Sequence, residues 1–158
     1  MDNTEELSNT KSHNAMVDAL NNLLEKNYDS EKGYREALLE TESDKLKTFF
    51  TNQASQRAQY INELDKEIRL LNATPSDSGS IKGNLHRAWM NLKSFMSSNT
   101  DEAILQECIH GDKTAATEYE DTLESYSFLD RTKKVIQYQV NGIKNTLDTI
   151  KELDDIVD

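Results

Sequence analysis

The apolar residues of this chain recur every three or four positions over long stretches, which is the spacing that one face of an α-helix presents. From Met16 onward this stripe extends to Leu38 and is interrupted at two successive positions, Asn27 and Glu31. It predicts a first helix that begins with a cap near Ser12 and ends at about Glu40.

A second stripe begins at Leu46 and continues to Leu71. Between the stripes, Ser43 or Asp44 offers a side-chain oxygen that can cap a helix by accepting from a free backbone N–H. Because the predicted turn is so short, the two helices must lie antiparallel. Each is expected to be about 28 residues long, or roughly 42 Å.

The second half of the chain repeats this design, with a third helix capped at Thr100 or Asp101 and a fourth that follows residues 125–128. We therefore predict one domain over 1–158, made of helical hairpins at about 12–72 and 100–156. The connection, 73–99, contains the only Pro and an amphipathic segment that predicts a short helix. A single long crossover is typical of ferritin-like antiparallel four-helix bundles, and this is the predicted all-α fold.

Composition narrows the function classes. The chain has 158 residues and a net charge of −11, and Leu, Ile, Val and Phe account for only 34 of them. The acidic balance argues against general nucleic-acid binding. Cys108 is the only cysteine, so no disulfide framework is expected and a reducing, cytoplasmic location is favoured. The sequence has no apolar run long enough for a membrane span, and its acidic N-terminus is not typical of a signal peptide.

The predicted stripes carry polar residues at corresponding heights: Asn27 and Glu31 on the first helix, Gln53 and Gln56 on the second, Asp112 on the third and Gln139 on the fourth. Four of these are also related by an internal repeat: Glu31, Gln56, Asp112 and Gln139. A shift of 81 residues relates Glu31 to Asp112, and a shift of 83 relates Gln56 to Gln139, which suggests a duplicated hairpin. Burying such groups unpaired costs about 1–3 kcal/mol each, and more for a carboxylate. They are therefore expected to pair with one another or to bind a ligand.

Two interpretations of these four residues remain open. They form either a hydrogen-bonded layer that sets the register of the helices, which we favour, or a degenerate di-iron or manganese site. Metal sites in such bundles use two Glu and two Glu-x-x-His pairs, whereas the residues here are two acids and two amides. No cofactor is therefore expected, and iron or manganese is the alternative, with Glu25 or Glu107 as additional ligands.

Other reactive side chains are interpreted as structural. The sequence 107–110 is formally Glu-x-x-His, but we expect a surface pair near the start of the third helix. Cys108 lies on an apolar stripe and has no base arranged beside it, so we expect a small core residue. Four tyrosines at helical spacing are predicted to be core residues whose hydroxyls reach the polar layer, with a redox role as the alternative: Tyr28, Tyr34, Tyr60 and Tyr119.

The predicted crossover helix offers a candidate partner surface at Arg87, Trp89 and Met90. If these side chains are exposed, they form an adaptor site, since apolar patches on protein surfaces usually mark contacts. If they pack on the bundle, they only cap one of its ends, and this second interpretation is favoured.

Several segments resemble a bacterial family of uncharacterised ferritin-like four-helix-bundle proteins: 31–37 (EKGYREA), 56–59 (QRAQ), 79–93, which contains LHRAWM at 85–90, and 103–108 (AILQEC). The resemblance extends from about residue 19 to about 153. It implies a ferritin-like fold without an established activity. It also implies Glu at the positions of Gln56 and Asp112 and His at Leu147. Glu31 matches this pattern and the other three depart from it.

These observations predict a non-catalytic, ferritin-like bundle that is stress-associated or partner-binding and self-associates, with a dimer as the expected form. The alternative is an oxidoreductase or iron-handling protein with a metal bound at mid-bundle. No catalytic residue is predicted.

Overall fold

Four helices make up the computed structural model, which describes residues 3–77 and 101–157. They are α1 (Asn3–Glu40), α2 (Asp44–Leu70), α3 (Asp101–Ser125) and α4 (Asp130–Val157), and the described ranges contain no strand. The predicted all-α bundle is confirmed. The predicted start of α1 is wrong, because Ser12 lies inside a helix of 38 residues.

The turn between α1 and α2 has the predicted capping chemistry. Ser43 is the N-cap of α2, and its Oγ accepts from the Leu46 amide at 3.3 Å. Thr41 Oγ1 accepts from the Ser43 amide at 3.2 Å and donates to Asp101 Oδ1 at 2.7 Å. The start of α3 is thereby held beside the end of α1.

Helix α2 ends in a Schellman motif. Asn72 adopts a left-handed φ of 59° and donates its amide to the Arg69 carbonyl at 2.9 Å. The Ala73 amide donates to the Ile68 carbonyl at 3.2 Å. Asn tolerates this backbone conformation better than most residues, so its position just after the helix fits the observed end. The His13 Nε2–H then donates to the Leu71 carbonyl at 2.8 Å and ties this end to α1.

The helices form a ring in which α1 packs against α2 and α3, and α4 packs against α2 and α3. Hydrogen bonds between neighbouring helices show that they are antiparallel. Thr41, just after α1, donates to Asp101 at the start of α3. Thr132, near the start of α4, donates to Glu67 near the end of α2 at 2.8 Å. Helices α2 and α3 therefore run in the same direction, so that Leu70 and Asp101 lie at opposite ends of the bundle.

The predicted short crossover helix lies outside the described residues, and so do Arg87, Trp89 and Met90. None of the helices within the described ranges combines the length and apolar character needed to cross a bilayer.

Two apolar clusters form the core among the described residues. One lies toward the α1–α2 turn and includes Phe50, Ile104 and Ile150. The other lies toward the far end and includes Leu64 and Ile143. On α1, α2 and α3, the positions between these clusters include a buried polar side chain on each helix: Asn27, Arg57 and Asp112.

Candidate functional site

A layer of buried polar side chains crosses the middle of the bundle, with one residue from each helix. We call it the polar layer, and its members are Asn27, Arg57, Asp112 and Gln139. Each lies on the inward face of its helix, in register with apolar neighbours spaced three or four residues away. The exposed fraction is 1% for Asn27 and 0% for the other three.

The centre of the polar layer is a salt bridge between diagonally opposite helices. Arg57 Nη1 donates to Asp112 Oδ1 at 3.0 Å, and Nη2 donates to Oδ2 at 3.3 Å. This bidentate arrangement matches the planar guanidinium to the two carboxylate oxygens. Because both side chains are fully buried, each charge depends on the other for its compensation.

Aromatic rings complete the surroundings of this ion pair. Tyr34 donates its hydroxyl to Asp112 Oδ2 at 2.5 Å. The Arg57 guanidinium carbon lies 5.6 Å from the centre of the Tyr34 ring and 6.0 Å from that of Tyr60. Both distances fall within the range of cation–π attraction. The guanidinium is thus held by a carboxylate and by two ring faces.

A second chain of hydrogen bonds links α1, α3, α4 and α2 through Tyr119. Asn27 Nδ2 donates to the Tyr119 hydroxyl at 2.8 Å, and that hydroxyl donates to Gln139 Oε1 at 2.5 Å. Gln139 Nε2 then donates to Glu63 Oε1 at 3.0 Å. Asn27 Oδ1 has no hydrogen-bond partner among the described residues. The layer is otherwise paired, and the pairs extend over all four helices.

Burial changes the acidity of these groups. It raises the pKa of Asp112, although Arg57 and Tyr34 oppose the shift by stabilising the carboxylate. Burial and the Asp112 charge both raise the pKa of Tyr34 well above its usual value, and burial also raises that of Tyr119. Burial lowers the pKa of Arg57, but Asp112, together with Tyr34 and Tyr119, more than reverses this effect. We therefore describe Asp112 and Arg57 as an ion pair and both tyrosines as neutral.

Of the four residues singled out in the sequence, Asp112 and Gln139 lie in the polar layer. Gln56 is half-buried, and its Oε1 accepts a long bond from Arg57 Nε at 3.4 Å. Glu31 is 23% exposed and accepts from Arg35 Nε at 3.0 Å, one turn along α1. Asp112 therefore bonds to Arg57 and Gln139 bonds to Tyr119. Glu31 and Gln56 lie outside the polar layer.

The residues present do not fit a di-iron or manganese centre. A bridging metal pair needs several carboxylates to offset its charge, and the polar layer contains one carboxylate. Arg57 already neutralises that carboxylate, so a cation added there would bring a second positive charge into a buried site. Across the described residues, no three His, Cys, Asp or Glu side chains are grouped so that they could hold a metal ion. The expectation that the chain binds no metal cofactor stays a prediction.

The other reactive side chains considered in the sequence do not come together in one site. Cys108 is buried, and burial raises the pKa of its thiol well above the usual value, which disfavours a nucleophilic thiolate. In the Glu-x-x-His sequence, His110 is exposed but Glu107 is buried, so the expected surface pair is wrong for Glu107. Tyr34 and Tyr119 reach the polar layer as predicted, whereas the hydroxyl of Tyr60 lies next to Gly142.

Arg57 is the central residue that sequence reasoning missed. A signal was present, because Arg57 continues the three-to-four spacing set by Phe50, Ala54, Ile61 and Leu64. Arginine is seldom fully buried, which favoured its neighbour as the inward-facing residue. A buried Asp112 on the opposite helix requires a cation, and this requirement selects Arg57 over Gln56.

Residues 15–125 match the family described as Domain of unknown function (DUF2383). A search of curated proteins found no match to this chain. The matched range includes α2, α3 and most of α1, together with three of the four residues of the polar layer. This confirms the resemblance to an uncharacterised family, and the chain belongs to the DUF2383 domain family.

Proposed function

We propose that this protein is a non-catalytic, ferritin-like helical bundle in which the polar layer sets the register of the helices. In this role, a structural ion pair lies at the position where related bundle architectures build a metal site. A buried polar group can specify one alignment of helices, because a shift of register would leave its charge unpaired.

The observation that carries this proposal is the Arg57–Asp112 salt bridge. It joins α2 and α3, which lie diagonally across the bundle and come from different hairpins, with both side chains fully buried. A one-turn slip of either hairpin would move Asp112 by about 5.4 Å away from Arg57. The pair thus favours one way of docking the two hairpins, which is the task of a register device.

The ferritin-like assignment is supported by helix direction. Leu70 and Asp101 lie at opposite ends of the bundle, as the corresponding residues do in bundles with one long crossover. We further propose that the protein is cytoplasmic and acts by partner binding, beginning with self-association. Support for self-association comes from Leu70 and Leu129, which lie at the same end of the bundle and are 49% and 61% exposed.

Metal analysis tests the proposal. The protein is purified without chelators, and its iron and manganese contents are measured by mass spectrometry. The same is done for Asp112→Asn and for Asp121→Asn, a matched change at an exposed position of α3. We expect contents well below one ion per chain in all three proteins.

The opposite result would favour the metal-handling alternative. Nearly one iron or manganese per chain in the unmodified protein and in Asp121→Asn, lost in Asp112→Asn, would replace the proposed role. Sedimentation velocity addresses self-association separately. We expect a dimer that Leu129→Ser weakens, and a monomer at all concentrations would contradict that part.

A further inference from the structure

A groove of about 400 Å³ lies between α2 and α4, the least closely packed of the adjacent helix pairs. Its volume falls within the range of small-molecule sites in proteins. The groove is open to solvent, and on its inner side it reaches Gln56 and Tyr60, which contact Arg57. It is separate from the polar layer but adjoins it.

The described part of the groove lining is uncharged. Among the described residues that form it there is no Asp, Glu, Lys or Arg, although 47 of the 158 residues of the chain are charged. Amide side chains predominate instead, and they come from both helices: Asn52, Gln53, Gln56, Asn141 and Asn145. Each side-chain amide has an NH₂ group that donates and a carbonyl oxygen that accepts, and a hydroxyl group can bond to either of them.

Gly142 permits a close approach between the two helices that line the groove. A Cβ at this position would lie 2.0 Å from the Tyr60 Oη, so a larger residue could not share this space with the phenol. Glycine inside a helix costs about 1 kcal/mol relative to alanine. Here the missing side chain allows the Tyr60 hydroxyl to lie against the backbone of α4.

Aromatic rings provide apolar contact beside the amides. Tyr60 and Tyr138 pack edge to face with 6.5 Å between their ring centres. Tyr138 is 64% exposed, so much of its surface is free to stack on a ligand. Phe49 lies at the other end of the lining. Aromatic faces beside amide groups suit a ligand that has C–H surfaces and many hydroxyls.

We propose that the groove between α2 and α4 binds an uncharged, polyhydroxylated small molecule of the carbohydrate class. Its hydroxyls would bond to the amides of both helices, and one ring face would stack on Tyr138. The absence of charged groups among the described residues of the groove disfavours phosphorylated or carboxylated ligands, which need cationic partners. This inference is independent of the register role proposed above, since it uses different side chains.

Two-dimensional NMR tests this inference on the full chain, because side-chain amides give resolved signals. Glucose and maltose are titrated as probes, with glucose 6-phosphate as the charged comparison. We expect saturable shifts confined to the groove amides, with a Kd on the order of 1 mM for a neutral sugar. Glucose 6-phosphate should bind more weakly.

Two variants localise the binding. Tyr138→Ala removes the exposed ring and should weaken binding by about tenfold. Tyr126→Ala is the matched control, since it truncates a tyrosine that does not line the groove, and it should bind as the unmodified chain does. Circular dichroism of both variants checks that they remain folded.

Three results would overturn the inference. The first is the absence of saturable shifts at about 10 mM of either neutral sugar. The second is binding that Tyr138→Ala leaves unchanged. The third is a response to an uncharged, end-capped glycine peptide without any response to sugar, which would assign the groove to an extended peptide.

Discussion

The α1–α3 side and the α2–α4 side of this bundle carry similar polar side chains but use them differently. On the first side, Asn27 bonds to Tyr119 and Tyr34 bonds to Asp112, with at most 1% of any of these residues exposed. On the second side, amides and two tyrosines line an open groove. The same chemical groups are thus sealed in one interface and accessible in the other.

The difference shows what burial requires of polar groups. A sealed amide or hydroxyl must find partners inside the protein, and losing one costs about 1–3 kcal/mol. An exposed amide keeps water as a partner and remains available to a ligand. The sealed side is therefore expected to govern stability, whereas the open side should tolerate substitution. The predictions below test this contrast, beginning with the largest effect.

Removing the cation of the polar layer should have the largest effect. Arg57→Met leaves the Asp112 carboxylate buried and uncompensated, and we expect a loss of about 3–5 kcal/mol in the free energy of unfolding. Urea unfolding followed by circular dichroism measures it. Arg35→Met, which removes an exposed pair with Glu31, should cost less than about 0.5 kcal/mol. Equal losses in the two variants would contradict the contrast.

Alkaline pH should destabilise the protein steeply through its sealed tyrosines. Tyr34 and Tyr119 have folded-state pKa values above their unfolded values, so their contribution is complete below about pH 10 and is lost as pH rises further. Each adds a slope of about 1.4 kcal/mol per pH unit. Burial also raises the pKa of Tyr60 to about 12 and raises the pKa of the Cys108 thiol. Both groups therefore add to the loss of stability at alkaline pH.

Urea unfolding at several values between pH 8 and 12 measures this slope. Tyr119→Phe should reduce it, whereas Tyr126→Phe should leave it unchanged, because the Tyr126 side chain is exposed to solvent in the folded protein. A stability that is flat above pH 10 would mean that the sealed tyrosines ionise as readily as those of the unfolded chain.

The same substitution, tyrosine to phenylalanine, compares the sealed side and the open side of the bundle directly. Tyr119→Phe removes a hydroxyl that bonds to Asn27 and Gln139, and should cost about 1–3 kcal/mol of stability. Tyr138→Phe removes a hydroxyl on the open side and should change stability by less than about 0.5 kcal/mol. Thermal unfolding of both proteins at neutral pH provides the comparison. A larger loss for Tyr138→Phe would reverse our assignment of the two sides.

Gly142 is the one position on the open side where substitution should be costly. Gly142→Ala places a methyl group against the Tyr60 hydroxyl and should destabilise by about 1–3 kcal/mol. In a Tyr60→Phe background, the same change should cost less than about 1 kcal/mol, because the clashing oxygen is gone. Urea unfolding of the four proteins tests this, and an equal cost in both backgrounds would show that the close approach does not matter.

The helices could be predicted from the sequence because their spacing extends over many turns. The Ser43 cap and the start of α3 also followed from local residue chemistry. The start of α1 did not, since Ser12 is compatible with both a helix cap and a helix interior. Local patterns identify elements well but leave their first turns undecided.

The polar layer was predicted only in part. Asn27, Asp112 and Gln139 interrupt apolar stripes and could be identified from their spacing alone. Choosing Arg57 over Gln56 requires knowledge of what lies on the diagonal helix, because adjacent residues differ by only about 100° in direction around a helix. Glu31 faces partly outward, and its partner Arg35 lies four residues away, which is a spacing that favours an exposed ion pair.

A double-mutant cycle between Arg57→Met and Asp112→Asn tests most directly whether the centre of this bundle is a structural ion pair. The free energy of unfolding is measured by urea titration for the unmodified chain, both single variants and the double variant. Our account predicts that the double variant loses at least about 2 kcal/mol less than the sum of the single losses. Losses that add to within about 0.5 kcal/mol would show that Arg57 and Asp112 act separately and would contradict it.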